Sequence, residues 1–422
     1  MRISKKLLAL TPLCALLAAG SAHATNGYFS HGYGIKAKGM GGASVAMTDN
    51  AFAGANNPAA AAWAGNRVEV GLDVFAPSRE MERTGANATA VKSDSNIFYV
   101  PEFGYNSAVS DTVGLGITIY GNGGMNTDYE GGQFGAANCG AGAVNRNVMC
   151  GTGRLGVDLQ QLIVAPTIAF KLNSNNSVGI SPLLVQQIFK ADGLSAFTGA
   201  ASTQDPASVT NNGYDSSNGY GMRFGYLGKV NDSFSVGASY SPQISMSKLT
   251  KYAGLYAESG GFDIPANYAL GLSFKPTPDV TIALDYQRIL YSGVKSINNT
   301  SVFSTKLGTA TGQGFGWTDV GVVKVGLQWQ ATAALTMRVG ANVGTNPITE
   351  TDVTFNILAP GVITTHYTLG GTYAMTKTSD VSFSYMYAPS NSVTGASRGF
   401  GGPETIKMSQ QSIGIQFGWH WK

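Results

Sequence analysis

The sequence contains few charged residues and, after its first 24 positions, no long apolar run. Only 12% of the 422 residues are charged, about half the fraction found in an average soluble domain. Beyond the N-terminal leader, no stretch reaches the roughly 18 consecutive apolar residues that a membrane-spanning helix needs. These two deficits exclude a helical membrane protein and fit an ordinary soluble domain poorly.

Cysteine is scarce as well. The chain has three cysteines; Cys14 falls in the leader described below, which leaves Cys139 and Cys150 in one long connecting stretch. In an exported protein such a local pair predicts a disulfide bond, and two unpaired thiols are the weaker alternative. No histidine lies near the pair, so we predict neither a metal site nor a cofactor.

The histidines do not indicate catalysis. His31, His366 and His420 remain once the leader is removed. A hydrolase would need a serine beside one of them and a third group that orients the imidazole, and nothing in the spacing singles out such a set. The glycine-rich run Gly39–Gly42 is not followed by the Lys-Ser/Thr of a phosphate-binding loop. We therefore predict that the protein is not an enzyme.

The first 24 residues predict a secretory signal peptide. Arg2, Lys5 and Lys6 precede the apolar stretch Leu7–Ala19, and a small-x-small cleavage site ends at Ala24. Removing these three of the 27 basic residues leaves 24, against 24 acidic residues. The mature chain is then formally neutral, so its charge gives no indication of nucleic-acid binding.

From residue 67 onwards, apolar residues recur at every second position. Clear examples begin at Val68, Val113, Phe234, Val280 and Ile413, with small or polar residues between the apolar ones. Six short polar turns alternate with seven long irregular stretches, and this pattern requires fourteen strands. The long stretches include residues 121–158 and 389–407. An exported chain of this kind is typical of an outer-membrane barrel, in which short turns face the periplasm and long loops face outwards.

The stretch Asn26–Trp63 interrupts this order. It is dense in Gly, Ala and Asn, shows no sustained alternation, and still contains residues of the buried type such as Ile35, Met40 and Phe52. A disordered tail would be the simpler interpretation, but it would carry fewer such residues. The sequence therefore predicts an all-β protein: a transmembrane antiparallel β-barrel of about 14 strands over residues 66–422, with an N-terminal plug, residues 25–65, in its lumen.

Motifs in the plug resemble a known family. The Gly-x-Gly at Gly32 and Gly34, the KGMGGAS of Lys38–Ser44 and the Asn57-Pro58-Ala59 triplet are, in this order, similar to the hatch of the FadL family. These are outer-membrane transporters of long-chain fatty acids and other hydrophobic molecules, including aromatic hydrocarbons.

The resemblance implies a function and an order of events. We expect passive uptake of hydrophobic molecules, foremost long-chain fatty acids, by loop capture, a luminal apolar pocket and a hatch-gated lateral exit. An aromatic-hydrocarbon channel of the same fold is the alternative, and a general porin is less favoured. The expected partners are the hydrophobic ligand and outer-membrane lipid, with no nucleic acid, and the protein is expected to be a monomer.

The resemblance also implies the parts of the exit. In the family, a kinked strand of the wall meets the Asn-Pro-Ala segment, here Asn57, Pro58 and Ala59. Proline fixes φ and removes a donor, and asparagine can bond locally, so a defined turn is expected there. On the third predicted strand, Gly114 and Gly116 could tolerate the kink.

Surface capture is expected from two long loops whose family counterparts form a hydrophobic groove. The candidate residues, the last four of them at helical spacing, are Leu194, Phe197, Leu249, Tyr252, Leu255 and Tyr256. A self-packed surface loop would show the same stripe, because such stripes are usually packing faces.

Three cations have inward parity on their strands: Arg223, Lys324 and Arg338. A charge that faced lipid would cost about 2–4 kcal/mol at the membrane centre, so the lumen is their expected location. One of them could pair with a fatty-acid carboxylate. Alternatively, they pair with inward-facing acids, namely Glu69, Asp73, Glu102 and Asp285.

Overall fold

A computed structural model describes residues 26–84, 89–302 and 305–422. The predicted signal peptide, residues 1–24, lies outside these ranges. The strands are β1 (Asn66–Arg83), β2 (Thr89–Lys92), β3 (Phe98–Ala108), β4 (Val113–Tyr129), β5 (Leu155–Lys171), β6 (Asn176–Asp192), β7 (Asp215–Lys229), β8 (Phe234–Ser241), β9 (Asn267–Thr277), β10 (Val280–Ile289), β11 (Val320–Gln330), β12 (Leu335–Gly344), β13 (Thr365–Ala374), β14 (Ser379–Ala396) and β15 (Pro403–Trp421).

The strands close into an antiparallel barrel. Along the chain each wall strand pairs with the next, and β15 pairs with β1 over the whole length of β1. The short β2 pairs with the upper end of β1, from Glu80 to Arg83, on the same side of β1 as β3, and so adds no further strand to the circumference. Fourteen strands therefore form the wall, which confirms the predicted class and strand number. Within the described ranges, no helix is long and apolar enough to cross a membrane.

The two-residue pattern sets the two faces of the wall. On β15, Ile413 and Ile415 are exposed on the outside, whereas Ser412 and Gln416 are buried inside. Apolar residues can face lipid only if the backbone groups are all paired within the wall, which a closed ladder provides. The outer face is therefore apolar and the lumen is polar at the level of the membrane.

Two of the predicted loops are shorter in the structure. Most of residues 389–407 belongs to β14 and β15, and β4 and β5 extend into the predicted loop 121–158 as far as Tyr129 and Leu155. These strand ends rise above the apolar band of the wall, and both of their faces carry polar residues. The alternation of apolar and polar residues is therefore lost there although the backbone remains extended.

Helices are short and lie in the lumen or the loops. Single α-helical turns are α1 (Ile35–Lys38), α2 (Ala136–Cys139) and α4 (Lys295–Asn298), and α3 (Ala257–Gly260) is a turn in which Glu258 and Ser259 have left-handed backbone angles. The 3₁₀ turns are Pro58–Ala62, Ser195–Phe197, Pro206–Ser208, Thr250–Tyr252, Tyr291–Gly293, Glu350–Asp352 and Phe355–Ile357. Cys139 and Cys150 form a disulfide bond in the loop between β4 and β5, as predicted.

Residues 26–65, which we call the hatch segment, lie inside the barrel. The segment contains only α1 and the turn Pro58–Ala62, and most of its residues are buried. Its backbone approaches the wall closely at several wall glycines: a Cβ on Gly340 would lie 2.2 Å from Gly41 N, and one on Gly237 would lie 2.4 Å from Val45 O. Small residues on both sides thus allow a close fit.

The extracellular loops fold inwards over the upper end of the barrel. Their apolar side chains form one continuous cluster with the top of the hatch segment, centred on aromatic residues such as Tyr28, Tyr291 and Trp317. The Nε1–H of Trp317 donates to Asn356 Oδ1 at 2.6 Å, so its polar atom is satisfied within the cluster. The lumen is therefore polar around the hatch segment and apolar above it.

Candidate functional site

The barrel wall is interrupted between β3 and β4. The two strands pair in their lower part up to Phe103↔Ile119 and then separate. The chain segment before β3 meets β4 again where Ser93 bridges Tyr129 in the same register and Asp94 N–H donates to Asp128 O at 2.9 Å. All residues between these two contacts are described, and no strand pairing is formed there. We call this unpaired stretch the wall gap.

Beside the wall gap, β4 bends into the lumen. Its ladder to β5 shifts register between Gly121 and Gly123, and residues 118–125 are all buried, so the inside–outside alternation stops here. The hatch segment takes the place of β3 as hydrogen-bonding partner. Ser30 N–H donates to Asn122 O at 3.2 Å, and Gly124 N–H donates to Tyr28 O at 3.1 Å. The backbone groups that β4 withdraws from β3 are thereby satisfied inside the barrel.

Glycine and proline explain why the chain allows this bend. A Cβ on Gly123 would lie 1.7 Å from Tyr28 O, so only glycine lets the hatch segment approach. On the other border, Pro101 keeps an unbroken ladder with β1, and its missing N–H therefore faces the gap. Proline in a sheet is confined to such unpaired edges.

The bend lies higher than the sequence predicted. Gly114 and Gly116 are regularly paired with both neighbouring strands, opposite Ala108 and Asn106 of β3. Gly114 instead provides a close contact with the hatch segment, because a Cβ there would lie 2.1 Å from Ala61 O. The expectation of a kink at these two glycines is therefore wrong, and the register shift falls in the glycine-rich stretch 121–124.

A second interruption lies on the other side of the β4–β5 hairpin. Between β5 and β6, the pairing stops after Val164↔Leu184 and resumes at Ile168↔Ile180. In that register Pro166 and Pro182 stand opposite each other, and neither has an N–H to donate. Inside the wall, the hydroxyl groups of Thr167 and Ser181 hydrogen-bond at 2.7 Å across the break. The wall is thus weakened on both sides of the β4–β5 hairpin, at the level where β4 leaves β3.

Two lysines of α1 hold the hatch segment to the wall. Lys38 Nζ lies 2.9 Å from Asp73 Oδ2 and 2.6 Å from Glu102 Oε1, and all three side chains are almost fully buried. Lys36 Nζ lies 2.8 Å from Glu69 Oε1. Three of the acids predicted to face the lumen do so, but their cations come from the hatch segment. Two lysines in an otherwise buried segment were the available signal, since buried charges must be paired.

The fourth acid binds the hatch backbone. Asp285 Oδ2 accepts hydrogen bonds from Ser44 N–H at 2.7 Å and Val45 N–H at 3.0 Å. Glu69 acts similarly through its second oxygen, which accepts from Ala51 N–H at 2.7 Å. Carboxylates from several strands therefore pair with the lysines of the hatch segment and accept hydrogen bonds from its backbone.

The Asn57-Pro58-Ala59 triplet lies near the periplasmic ends of β6 and β7. Asn57 Nδ2 donates to Val45 O and to Tyr226 O at 2.8 and 2.9 Å, and its Oδ1 accepts from Ala59 N–H at 3.1 Å. Asn57 thus caps the turn that Pro58 begins and ties it to β7. The hydrogen bonds of Asn57 go to Val45, Tyr226 and Ala59, whereas the backbone of the bend in β4 bonds to residues 28–30.

The three predicted luminal cations differ in their surroundings. Arg223 donates to the carbonyl oxygens of Gly54 and Ala55 and, at 3.1 Å, to Tyr120 Oη on the bend of β4. Arg338 donates to Gln328 and Thr372 side chains, and its Nη2 lies 3.7 Å from Asp49 Oδ2. Lys324 is buried on β11 directly opposite Asp285 of β10, and in the described ranges it forms no hydrogen bond or ion pair.

The predicted capture residues are not on the surface. All six, Leu194, Phe197, Leu249, Tyr252, Leu255 and Tyr256, are buried in the apolar cluster. Phe189 packs against the rings of Tyr252 and Tyr256 with centroid distances of 4.8 Å. The expectation of an exposed groove is therefore wrong for this conformation, and the alternative of self-packed loops describes it. When the apolar side chains of the two loops pack against each other, their surface is removed from water, which is favourable.

An ion pair joins two of the extracellular loops beside this cluster. Lys295 Nζ lies 2.8 Å from Glu258 Oε1, and this hydrogen bond lowers the pKa of the Glu258 carboxyl. Because the pKa is lowered, the contact is present at neutral pH and weakens only as the pH falls through that lowered pKa. Both side chains are largely exposed, so the contribution to stability is small.

A small cavity reaches the wall gap from inside. Its lining is mainly apolar and includes Phe75, Met125, Trp317 and Met408, together with the side chain of Arg79. Met125 belongs to the bent part of β4. The predicted luminal apolar pocket is thus small in this conformation, because aromatic residues fill most of the upper lumen.

Comparisons with known proteins agree with this geometry. The family model described as outer membrane protein transport protein (OMPP1/FadL/TodX) matches residues 14–419. The chain belongs to the FadL/TodX family. No match was found among curated protein sequences.

Solved structures of the family share the fold. The toluene transporter TodX of P. putida has a TM-score of 0.70 at 18% identity, covering 93% of this chain and 99% of its own. The toluene transporter TbuX of Ralstonia pickettii reaches 0.66 at 18% identity, over 93% and 99%. A Pseudomonas aeruginosa FadL homologue reaches 0.66 at 14% identity, over 94% and 100%. At such identities the likeness shows the fold alone.

Family membership gives the general role. The protein is an outer-membrane channel of a family that takes up hydrophobic small molecules. Members of the family are transport channels and not enzymes.

Proposed function

We propose that the protein takes up long-chain fatty acids and releases them sideways, through the wall gap, into the outer membrane. The observation that supports this most directly is the gap itself. A barrel wall at membrane depth normally pairs every backbone group, and here β4 instead turns inwards and pairs with Tyr28–Ser30. An opening so constructed connects the lumen with lipid, where an apolar molecule is most stable.

The path begins in the extracellular loops that cover the upper end of the barrel. The six buried loop residues listed above would contact the ligand once the loops separate, which makes them capture residues in an open conformation. The ligand would then reach the small apolar cavity beside Met125 and Trp317. Above the hatch segment, mainly apolar side chains would line this route, which suits an apolar molecule.

The hatch segment is proposed as the gate. It occupies the lumen below the cavity, so straight passage towards the periplasm would require it to leave its ion pairs with β1 and β3. Movement of residues 28–30 alone would be enough to change the wall gap. Asn57, Pro58 and Ala59, with their contacts on β6 and β7 and the nearby contact of Gly114, would anchor the lower part while the upper part moves.

The fatty acid is favoured over a neutral hydrocarbon by a luminal cation. Arg79 lines the apolar cavity, whereas Lys324, one of the three predicted candidates, stands directly opposite Asp285 on β10. Arg223 and Arg338 already bind the hatch segment and the wall. The structures of similar fold include transporters of toluene, and an aromatic hydrocarbon is therefore the alternative substrate.

The lateral exit is tested by obstructing it from the outside. Tyr99 borders the wall gap on β3 and is 55% exposed; Leu369, on β13 in a fully paired part of the wall, is 54% exposed. Each would be replaced by cysteine, Tyr99→Cys or Leu369→Cys, labelled with a bulky maleimide, and reconstituted in vesicles. We expect labelling at 99 to slow uptake of a fluorescent fatty acid and of a neutral aromatic probe, and labelling at 369 to change neither.

Equal rates for the two labelled proteins would exclude the lateral path and favour passage through the hatch. Retained uptake of both probes with free permeation of hydrophilic solutes would favour a porin. The ratio of acid to aromatic uptake in the unlabelled protein separates the two substrate classes.

A further inference from the structure

One cation that the sequence analysis did not select lies at the wall gap. Arg79 is on β1, points into the lumen and is 4% exposed. The other inward ionisable residues of β1 all have an ion-pair partner; they are Arg67, Glu69, Asp73 and Arg83. Every Asp and Glu of the chain lies in the described ranges, and none of them pairs with Arg79. Arg79 is therefore a buried cation without a counter-charge.

The contacts of the guanidinium satisfy it only partly. Its Nη2 donates to Ser93 Oγ at 3.3 Å, which is long for such a bond. The guanidinium carbon Cζ lies 5.5 Å from the ring centroid of Phe98. The Nε–H group is buried with no acceptor in the described ranges. A ring face and a neutral hydroxyl compensate a buried charge less well than a carboxylate does. The site is thus short of one anionic acceptor.

The position of Arg79 connects this deficit with the transport path. Ser93 forms the upper edge of the wall gap with Tyr129, and Phe98 belongs to the border of the gap on β3. Arg79 also lines the apolar cavity together with Met125 and Met408. A cation at the edge of an apolar cavity that opens towards lipid matches a molecule with an anionic head and an alkyl chain.

We propose that Arg79 is the binding site for the carboxylate head of the transported molecule, at the upper edge of the wall gap. The inference rests on the proposed function and names the group that the channel recognises. A planar guanidinium can donate two parallel hydrogen bonds to a carboxylate, and the unpaired Nε–H is one of the donors. The alkyl chain would pass beside Met125 and Met408 once the small cavity widens, and would leave through the gap.

The test compares three probes that share one chain: cis-9-octadecenoate, the corresponding alcohol, and the phosphate monoester of that alcohol. Binding to the full-length mature protein in detergent is measured for the wild type, Arg79→Gln, Arg79→Lys and Lys324→Gln. Lys324→Gln is the matched control, because it removes another buried luminal cation. Arg79→Lys keeps the charge and protects the experiment against a folding defect of the glutamine variant.

We expect Arg79→Gln to weaken binding of the carboxylate by about 10- to 100-fold, the usual worth of hydrogen bonds to a charged group. Its affinity for the alcohol should be unchanged. Arg79→Lys should keep much of the preference for the acid over the alcohol, and Lys324→Gln should keep all of it.

Four results would overturn the assignment. In Arg79→Gln, an equal loss of affinity for acid and alcohol would indicate a structural role of Arg79, and no loss for either would show that Arg79 does not bind the probe. A selective loss of acid affinity in Lys324→Gln would assign the carboxylate to Lys324, and tighter binding of the phosphate ester than of the carboxylate through Arg79 would indicate the head group of a membrane lipid. If the wild type binds the acid and the alcohol, and neither affinity depends on Arg79, only this inference fails. If the wild type binds neither the acid nor the alcohol, the proposed function fails with it.

Discussion

Two parts of the barrel wall follow opposite rules. Between β10 and β11, ten successive pairs run from Val280↔Trp329 to Ile289↔Val320, and exposed residues alternate with buried ones. Between β3 and β4, pairing stops after Phe103↔Ile119, and the alternation on β4 stops with it. At β4 the wall opens because another backbone, that of the hatch segment, supplies the missing hydrogen-bonding partners.

The comparison predicts a large effect when the hatch segment loses its charge pairing. Lys38→Met would leave Asp73 and Glu102 buried without a cation, and breaking a buried ion pair from one side costs about 3–5 kcal/mol. We expect the hatch segment to detach while the closed wall persists. Limited proteolysis of the purified protein should then cut within residues 26–65.

The matched control is Lys92→Met, because Lys92 is 61% exposed in its side chain and pairs only with the exposed Glu80. Its digestion pattern should equal that of the wild type. A hatch segment that stays resistant in Lys38→Met would show that backbone contacts alone hold it.

A smaller effect is expected from separating the hatch segment from β4. Gly123→Ala places a methyl group 1.7 Å from Tyr28 O, so the hydrogen bonds of Ser30 and Gly124 across this contact should be lost. Two such bonds contribute about 1–3 kcal/mol together. Hydrogen exchange measured by mass spectrometry should accelerate in peptides covering residues 28–30, with little change in the unfolding of the barrel.

Gly344→Ala is the control on the regular side, since a Cβ there has its nearest neighbour at 3.4 Å, an ordinary contact. It should leave exchange in residues 28–30 unchanged. Unaltered exchange in Gly123→Ala as well would mean that the hatch segment does not depend on this pairing.

The smallest effect should come from making the irregular part regular. Replacing Pro166 and Pro182 by valine restores two N–H donors where β5 faces β6, and each restored bond is worth about 0.5–1.5 kcal/mol. We expect a modest gain in resistance to urea unfolding in detergent, accompanied by slower uptake if the hairpin must bend here.

Pro101→Val provides the comparison, because the restored N–H would face the wall gap and find no strand partner. It should bring no such gain. A gain as large in Pro101→Val as in the double variant would contradict the account of the gap as an unpaired edge.

Much of the wall followed from the sequence. Alternation at Val68, Val280 or Ile413 needs only a lipid outside and a lumen inside, so strand number, turns and closure could all be predicted from periodicity. The disulfide followed in the same way from two nearby cysteines in an exported chain. Pro101 and the glycines of residues 121–124 were a sequence signal for the position of the wall gap, because proline and glycine are typical of an unpaired edge and a bend.

The contents of the lumen were decided by tertiary structure. Inward parity placed Glu69, Asp73 and Glu102 correctly, but parity cannot show that their partners are Lys36 and Lys38, which lie in a segment without any periodicity. Periodicity reports which side of a strand a residue faces, and pairing depends on distances between segments far apart in the chain. The same limit concealed Arg79, whose lack of a counter-charge becomes visible only when all the acids of the chain have their places.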